Sequence, residues 1–321
     1  MTTRTAVGYT MQALVKYHGL RDWKLRLPYH DSISVNTTSM MTEATITDER
    51  RGGVYIEGKK REDATARLQP VVERLRAGAK VEDFRIDSRN VPAANAKGIG
   101  YSSSAGAALT LLCHDLLRGG RPDMTELSKT ARLFAASASR SLVGGFSRLY
   151  AGKDDDTTYA EKFADSRTMD LRMVVVPLPS KLHTEDVHRD VLTSPFFKAR
   201  IESAQKRCDM MEKAIRGNDL ATLGALAEMD TLELHGLTMT GEGRIIIMTE
   251  DSLRIINRVK ALREDGAEAY FSMQTGPSVY INTSEKDEER VLKAIKRSGY
   301  RAYLSRVGGE AHILPNSGKG Y

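Results

Sequence analysis

Apolar positions recur along the chain with two different periods, and the changes between them divide it into elements. From Thr65 to Arg76, Leu68, Val71, Val72 and Leu75 share one face of a helix. Ala105, Ala108, Leu109, Leu112 and Leu116 mark a second helical face running on from Ser103, and Ser128 to Ser137 opens a third helix of small residues. The segments Ala44 to Thr47, Val54 to Glu57 and Phe84 to Ile86 alternate or are rich in β-formers between turn residues, so strands are expected there, covered by these helices. A polar stretch from Gly152 to Arg167 breaks the pattern, and the apolar run Leu171 to Leu178 reads as a buried strand after it. The break puts a domain boundary near residue 168, giving domains 1–168 and 169–321.

Past the boundary, Phe197, Ile201, Ala204, Cys208, Met211 and Ile215 define a long amphipathic helix. Leu220 to Leu234 forms another, and Leu253, Ile255, Ile256, Val259 and Leu262 a third. Strands at Ala269 to Met273 and Ser278 to Asn282, a helix near Arg290 to Lys296 and strands near Tyr300 to Leu304 and His312 to Leu314 complete a split βαβ-like domain with added helices. Two α/β layers facing a cleft are the expected architecture.

A length of 321 residues suits two such domains, and 40% hydrophobic with 28% charged residues excludes wholesale disorder. The strongest apolar runs, Met173 to Val176 and Ile245 to Met248, fall far short of the ~20 residues that cross a bilayer, so no membrane association is expected. Arg4 is not followed by an apolar stretch of about 7–15 residues, and a cytoplasmic location is expected. Cys113 and Cys208 are far apart and have no histidines at metal-ligand spacing, which argues against both a disulfide framework and a zinc site. The net charge of +6 is mixed along the chain, which fits a small anionic substrate at least as well as nucleic acid. With 6% aromatics and no nucleic-acid-binding motif, no nucleic-acid partner is expected.

Three segments carry candidate chemistry. The run from Gly98 to Ala108 is a Gly- and Ser-rich turn feeding a helix, where unpaired backbone N–H groups and the positive end of the helix dipole favour an anion; a tightly packed helix cap is the plainer alternative. Arg140 lies within the small-residue run Ala135 to Phe146 and can grip a carboxylate or phosphate in a bidentate fork, or else pair with a neighbouring acid. Lys16 interrupts an apolar strand and either points to solvent on an edge or supplies a cation to a buried anion. His18, His30 and Asp31 are acid–base candidates by residue type, though such groups more often serve as hydrogen-bonding structure, and His235 reads as a core histidine on an apolar helix face.

Together these segments resemble, in order, the mevalonate-pathway decarboxylase branch of the GHMP kinase superfamily. Lys16-Tyr-His-Gly-Leu-Arg-Asp and Leu27-Pro-Tyr-His-Asp-Ser-Ile-Ser-Val resemble that branch's Lys-Tyr-Trp-Gly-Lys-Arg-Asp and Leu-Pro-x-Asn-x-Ser-x-Ser-Val motifs. Gly100-Tyr-Ser-Ser-Ser-Ala resembles its phosphate loop, and Ser137-Ala-Ser-Arg-Ser-Leu-Val-Gly-Gly its substrate-binding segment. Thr193-Ser-Pro-Phe-Phe-Lys-Ala-Arg, Asp230-Thr-Leu-Glu-Leu-His and Gly276-Pro-Ser-Val-Tyr follow in the same order, so the resemblance covers residues 10–315.

The resemblance implies an α+β GHMP fold, with an S5-like α/β N-terminal domain and a ferredoxin-like C-terminal domain, an active site in the cleft and a homodimer. It implies that Lys16 neutralises substrate anions, that Ser137 and Arg140 hold carboxylate or phosphate, and that Ser103 and Ser104 face phosphate. Tyr17, His18, Arg21, Ser141, Gln274 and Thr275 would complete the substrate pocket, with His30, Asp31, Ser32, Thr184 and Glu185 ranked behind them. Some relatives carry an arginine in the loop of Glu185.

Departures from the family pattern refine the expectation. ATP-dependent members carry an aspartate in Asp-x-Gly-Pro, thought to orient or deprotonate the tertiary 3-hydroxyl; Gln274 stands there in Met273-Gln-Thr-Gly-Pro, and an amide is no carboxylate base. The phosphate loop is altered to Pro92-Ala-Ala-Asn-Ala-Lys-Gly-Ile-Gly, and His18 replaces a tryptophan. The leading expectation is therefore a mevalonate 3,5-bisphosphate decarboxylase that makes isopentenyl phosphate with no cofactor and no metal. The alternative is an ATP- and Mg-dependent phosphomevalonate or diphosphomevalonate decarboxylase; a mevalonate 3-kinase, which also lacks the aspartate, resembles the chain less at the Lys16 segment, and a non-catalytic relative acting as a sensor or structural subunit is disfavoured by the retained Lys16 and Arg140.

Overall fold

The computed structural model describes residues 3–48, 52–93 and 96–315. Its first part runs β1 (Thr3–Val15), β2 (Leu20–Asp22), β3 (Leu27–Pro28), β4 (Ser32–Thr47), β5 (Gly53–Ile56), β6 (Lys59–Lys60), α1 (Glu62–Leu75), β7 (Arg85–Val91), α2 (Tyr101–Leu117), α3 (Met124–Phe134), α4 (Ala138–Val143), β8 (Phe146–Leu149) and β9 (Ala160–Ala164). The second part runs β10 (Arg172–Val176), α5 (Thr184–Asp190), α6 (Phe197–Arg216), α7 (Leu220–Thr240), α8 (Glu250–Glu264), β11 (Ala269–Met273), β12 (Val279–Thr283), α9 (Glu288–Arg297), β13 (Tyr303–Ser305) and β14 (His312–Ile313). The fold is α+β and built on two main sheets.

The first sheet has the order β14-β1-β4-β7-β5-β6, with β8 and β9 continuing from the opening half of β4. From Met40 onward β4 alternates buried and half-buried positions, and Ala44 and Ile46 pack with Leu68, Val72, Leu109 and Leu112 of α1 and α2. Its first six residues are buried throughout, with Ile33 and Val35 packed into a core shared with Cys208 and Met211 of α6. Burial on both faces erases the period-two signal there, which is why the pattern picks out only the end of a 16-residue strand.

The second sheet, β11-β12-β10-β13, is antiparallel throughout and has the ferredoxin-like order. Val174 and Val176 of β10 face α8 and α9, whereas Met173 turns to the core shared with the first sheet. Two expectations are corrected. His312 pairs with Val7, so the last strand returns to the first sheet instead of completing the second. The small-residue run expected as a helix from Ser128 to Ser137 is two helices: α3 starts earlier, where the Asp123 carboxylate accepts from the Thr125 and Glu126 amides, and α4 follows a break at Ala135.

Candidate active site

A cleft of about 870 Å³ opens where β1 ends, where α2 begins, at the α3–α4 junction and beside α5 and the turn after β11. Lys16, Tyr17, Ser103, Ser137, Gln274 and Thr275 line it, and so do Thr184 and Glu185. The other expected residues stand apart from this lining. Arg21 donates to the Ala151 and Gly152 carbonyls, both at 2.8 Å, and Ser104 bonds Thr42 at 2.7 Å and the Tyr101 carbonyl at 3.0 Å. Ser141 is buried with its hydroxyl unpaired, behind the cleft lining. Asp31 accepts from Arg148 at 2.6 Å, His30 bonds the Asp31 carbonyl, and Ser32 starts β4, so this trio belongs to the packing between β4 and α6.

Lys16 is placed by its backbone. Its N–H donates to Asp230 Oδ2 at 3.0 Å and its carbonyl accepts from Arg200 Nη2 at 2.8 Å. Asp230 is itself gripped by Arg200 at 2.8 Å and Arg207 at 2.9 Å, both from α6. That buried network pins the residue after β1 and leaves its ammonium without an ion-pair partner among the described residues. Burial, then the nearby Arg140 charge, bring the Lys16 pKa down to about 7 against the pull of Asp230.

Arg140 lies on α4 with all three guanidinium nitrogens buried and unpartnered, its carbon 5.5 Å from the Tyr17 ring centre. Burial lowers its pKa to about 10, so it is still a cation at neutral pH. Leaving such a group unpaired is costly. Lys16 and Arg140 stand 5.3 and 5.5 Å from the ring centre of one tyrosine, Lys16 in the cleft lining and Arg140 outside it, and the alternative that Arg140 pairs with a neighbouring acid is not met among the described residues. Ser103 donates to Ser137 at 2.7 Å, and Ser137 lies beside the Tyr17 phenol, continuing the polar wall. On the other side His18 bonds Thr275 at 3.1 Å and meets His188 edge to face, and burial holds both imidazoles neutral.

The opposite wall is glycine. Gly98 and Gly100 have φ of 84° and 88°, which only glycine adopts easily, and Gly100 precedes the first turn of α2 without a side-chain cap. A Cβ on Gly276 would come within 2.4 Å of the Lys97 carbonyl carbon, so the turn after β11 packs backbone against backbone on the phosphate loop. Gln274 fastens this contact, its amide nitrogen donating to the Met11 carbonyl at 2.9 Å and the Gly98 carbonyl at 3.3 Å. Of the loop expected to hold phosphate, Ala94 and Asn95 lie outside the described residues.

The family is decided by comparison of the whole chain. Residues 8–160 match the model of the diphosphomevalonate decarboxylase-like N-terminal domain, and residues 180–304 that of the mevalonate 5-diphosphate decarboxylase C-terminal domain. The chain belongs to the diphosphomevalonate decarboxylase family. Among family members it is 37% identical to the phosphomevalonate decarboxylase of Haloferax volcanii, over 98% of both chains. Mevalonate diphosphate decarboxylase from Staphylococcus aureus superimposes with a TM-score of 0.88 at 25% identity, over 98% of each chain. A third relative, MDDEF, solved in complex with MVAPP, AMPPCP and magnesium, has a TM-score of 0.88 at 24% identity, over 98% of this chain and 99% of that one.

The MDDEF complex overturns the expectation that no cofactor is involved, because a member of this diphosphomevalonate decarboxylase fold holds an ATP analogue and magnesium together with its substrate. The inference from Gln274 fails for a physical reason. Its amide hydrogens are engaged by two main-chain carbonyls, so the contact with β1 and the phosphate loop accounts for an amide here whether or not a nucleotide is used. The glycine cradle also suits a nucleotide phosphate: it is open, it sits at a helix start, and Ser102, Ser103 and Lys97 surround it. For magnesium, no group of three His, Cys, Asp or Glu stands together among the described residues. The sequence reading missed Arg26, Arg67 and His188, which also line the cleft; Arg26 stands immediately before the Leu27-Pro motif, and Arg67 and His188 lie outside the quoted motifs.

Proposed function

We propose that the protein is an ATP-dependent phosphomevalonate decarboxylase, converting 5-phosphomevalonate and ATP into isopentenyl phosphate, carbon dioxide, ADP and phosphate. The observation that carries this reading is the Lys16 ammonium, lining the cleft without an ion-pair partner among the described residues, with the buried and unpartnered Arg140 guanidinium across the Tyr17 ring behind it and an uncapped helix start on the same cleft. The cations match the carboxylate and phosphate of such a substrate, and the helix start offers N–H groups to a nucleotide. The monophosphate is favoured because the Haloferax volcanii relative, 37% identical, is a phosphomevalonate decarboxylase.

When bound, ATP supplies the phosphoryl group that makes the tertiary 3-hydroxyl a leaving group. The chain's part is positioning and charge. Phosphoryl transfer passes through a loose transition state that asks little of a base, so an amide at residue 274 is compatible with it. Lys16 and Arg140 neutralise the substrate anions on binding. As the bond to the carboxylate breaks, its electron pair forms the alkene, phosphate leaves carbon 3, and the same cations stabilise the departing charge. Tyr17 and Ser137 fix the substrate between them, and neutral His188, backed by neutral His18, fills the remaining wall without adding charge.

Product analysis decides the matter. Isopentenyl phosphate and ADP formed in equal amounts from 5-phosphomevalonate with Mg-ATP, and no product without it, is the expected result. Turnover of mevalonate 3,5-bisphosphate in the absence of ATP, with none of 5-phosphomevalonate in its presence, would overturn it.

A further inference from the structure

Two arginines at the mouth of the cleft are built to face one point. Arg26 ends the turn between β2 and β3 in a left-handed conformation, φ 52°, that is strained for a side chain of its size. Its Nε donates to the Leu133 carbonyl at 3.0 Å, and the Nε of Arg67 on α1 donates to the next carbonyl, Phe134, also at 3.0 Å. Consecutive carbonyls at the end of α3 thus anchor both guanidiniums and turn their outer nitrogens the same way. Arg67 is steadied further by Ser102, 3.3 Å away in the first turn of α2, and by the Phe134 ring. Burial, then the neighbouring Arg26 charge, lower the Arg67 pKa, which places the two guanidiniums within reach of one another.

One carboxylate lies between them. Glu185 of α5 reaches across the cleft, with Oε1 3.4 Å from Arg26 and 3.5 Å from Arg67. The contacts are long and the carboxylate is 50% exposed, so each is weak as an ion pair. The arginines, by contrast, are held rigidly by other groups whether Glu185 is there or not. Arg61 nearby is already satisfied by Asp63 at 2.9 Å and does not compete for the same anion.

We propose that Arg26 and Arg67 form an anion subsite at the cleft mouth that Glu185 fills from within, so that the cleft takes a substrate with one phosphate on carbon 5 and rejects one with two. The inference rests on the reading of the protein as a phosphomevalonate decarboxylase and names its specificity-determining residue. A first phosphate is met by the inner cations. A second would extend toward the mouth, where it meets a carboxylate of its own sign already occupying the two guanidiniums.

The test uses the full chain as wild type, Glu185→Gln and Glu185→Ala, assayed with 5-phosphomevalonate and 5-diphosphomevalonate at saturating Mg-ATP. The same proteins are titrated calorimetrically, without nucleotide, with inorganic phosphate and pyrophosphate. Either substitution should raise the kcat/KM ratio of diphosphate to monophosphate substrate by about tenfold or more, through KM for the diphosphate. Pyrophosphate should gain affinity over phosphate by a similar factor, and adding Arg67→Gln should erase both gains. Ratios that move less than about twofold in both assays, or a gain that survives Arg67→Gln, would overturn the proposal. So would a change in KM for ATP with the substrate ratio unmoved, since the subsite would then serve the nucleotide. A wild type that turns over no mevalonate phosphate rejects the function reading instead, and the phosphate and pyrophosphate titrations still decide the role of Glu185.

Discussion

Arg200 and Arg207 on one hand and Arg140 on the other are buried arginines of the Lys16 neighbourhood, and they differ in one respect. Arg200 and Arg207 are met by Asp230 and Glu233, whose carboxylates lie within ion-pair distance of both. Arg140 is equally buried and is met by nothing among the described residues. A buried charge with its partner supplied by the chain is a structural element, because removing either side leaves the other stranded. A buried charge without one is a cost to the fold that only a ligand offsets. Lys16 shares both conditions: its backbone belongs to the first group and its ammonium to the second.

The largest effect is expected on the unpaired side. Arg140→Met and Lys16→Met should each lower kcat/KM for 5-phosphomevalonate by about 10³-fold, as when a single charge-stabilising group is removed from an active site. Neither should lose thermal stability, since each deletes an uncompensated buried cation. A fall in Tm as large as the fall in activity would erase the distinction between the two groups.

The paired side should answer in the opposite sense. Asp230→Asn leaves Arg200 and Arg207 to share the Glu233 carboxylate alone and should cost about 3 kcal/mol in urea unfolding, the low end for a buried pair that loses one partner. Any loss of activity should follow from Lys16 losing its backbone anchor. A stability loss of about 1–3 kcal/mol is expected for Gln274→Asp, which restores the family's carboxylate but points it at the Met11 and Gly98 carbonyls. Activity raised above wild type in that variant would mean that residue 274 faces the substrate after all.

How much of this was legible in sequence depends on which physical signal each part leaves. Lys16, Arg140 and the Gly98–Gly100 turn stand out because a cation among apolar or small residues, or paired glycines before a helix, is locally anomalous. The helices α6, α8 and α9 carry a clear apolar face and fall close to where that face predicts them. The strands β1 and the first half of β4 do not, since burial on both faces leaves no alternation to read. Arg26 and Arg67 were invisible for another reason: what makes them a pair is two consecutive carbonyls at the end of α3, more than sixty positions further on, a relation that exists only after folding. Gln274 was visible, but the partners on β1 and the phosphate loop that hold its amide were not.

The smallest effect is on pH, and it sharpens the comparison most directly. Burial and Arg140 bring the Lys16 pKa to about 7 in the free protein, whereas the ordinary value is 10.5. If the ammonium form receives the anion, kcat/KM should fall as pH rises through 7, by about eightfold between pH 6.5 and 8. Bound substrate anions favour the charged form, so the fall in kcat should lie at higher pH than the fall in kcat/KM. Stability has the opposite sign. Between pH 7 and 10.5 the unfolded chain holds a proton on this lysine that the folded protein does not, so this group adds to stability as pH rises and costs most below 7. Lys16→Met should therefore stabilise the protein more at pH 6 than at pH 9, measured as the difference in urea midpoint. An equal gain at both values would mean that Lys16 is not buried as a cation, and would move the lysine out of the unpaired group.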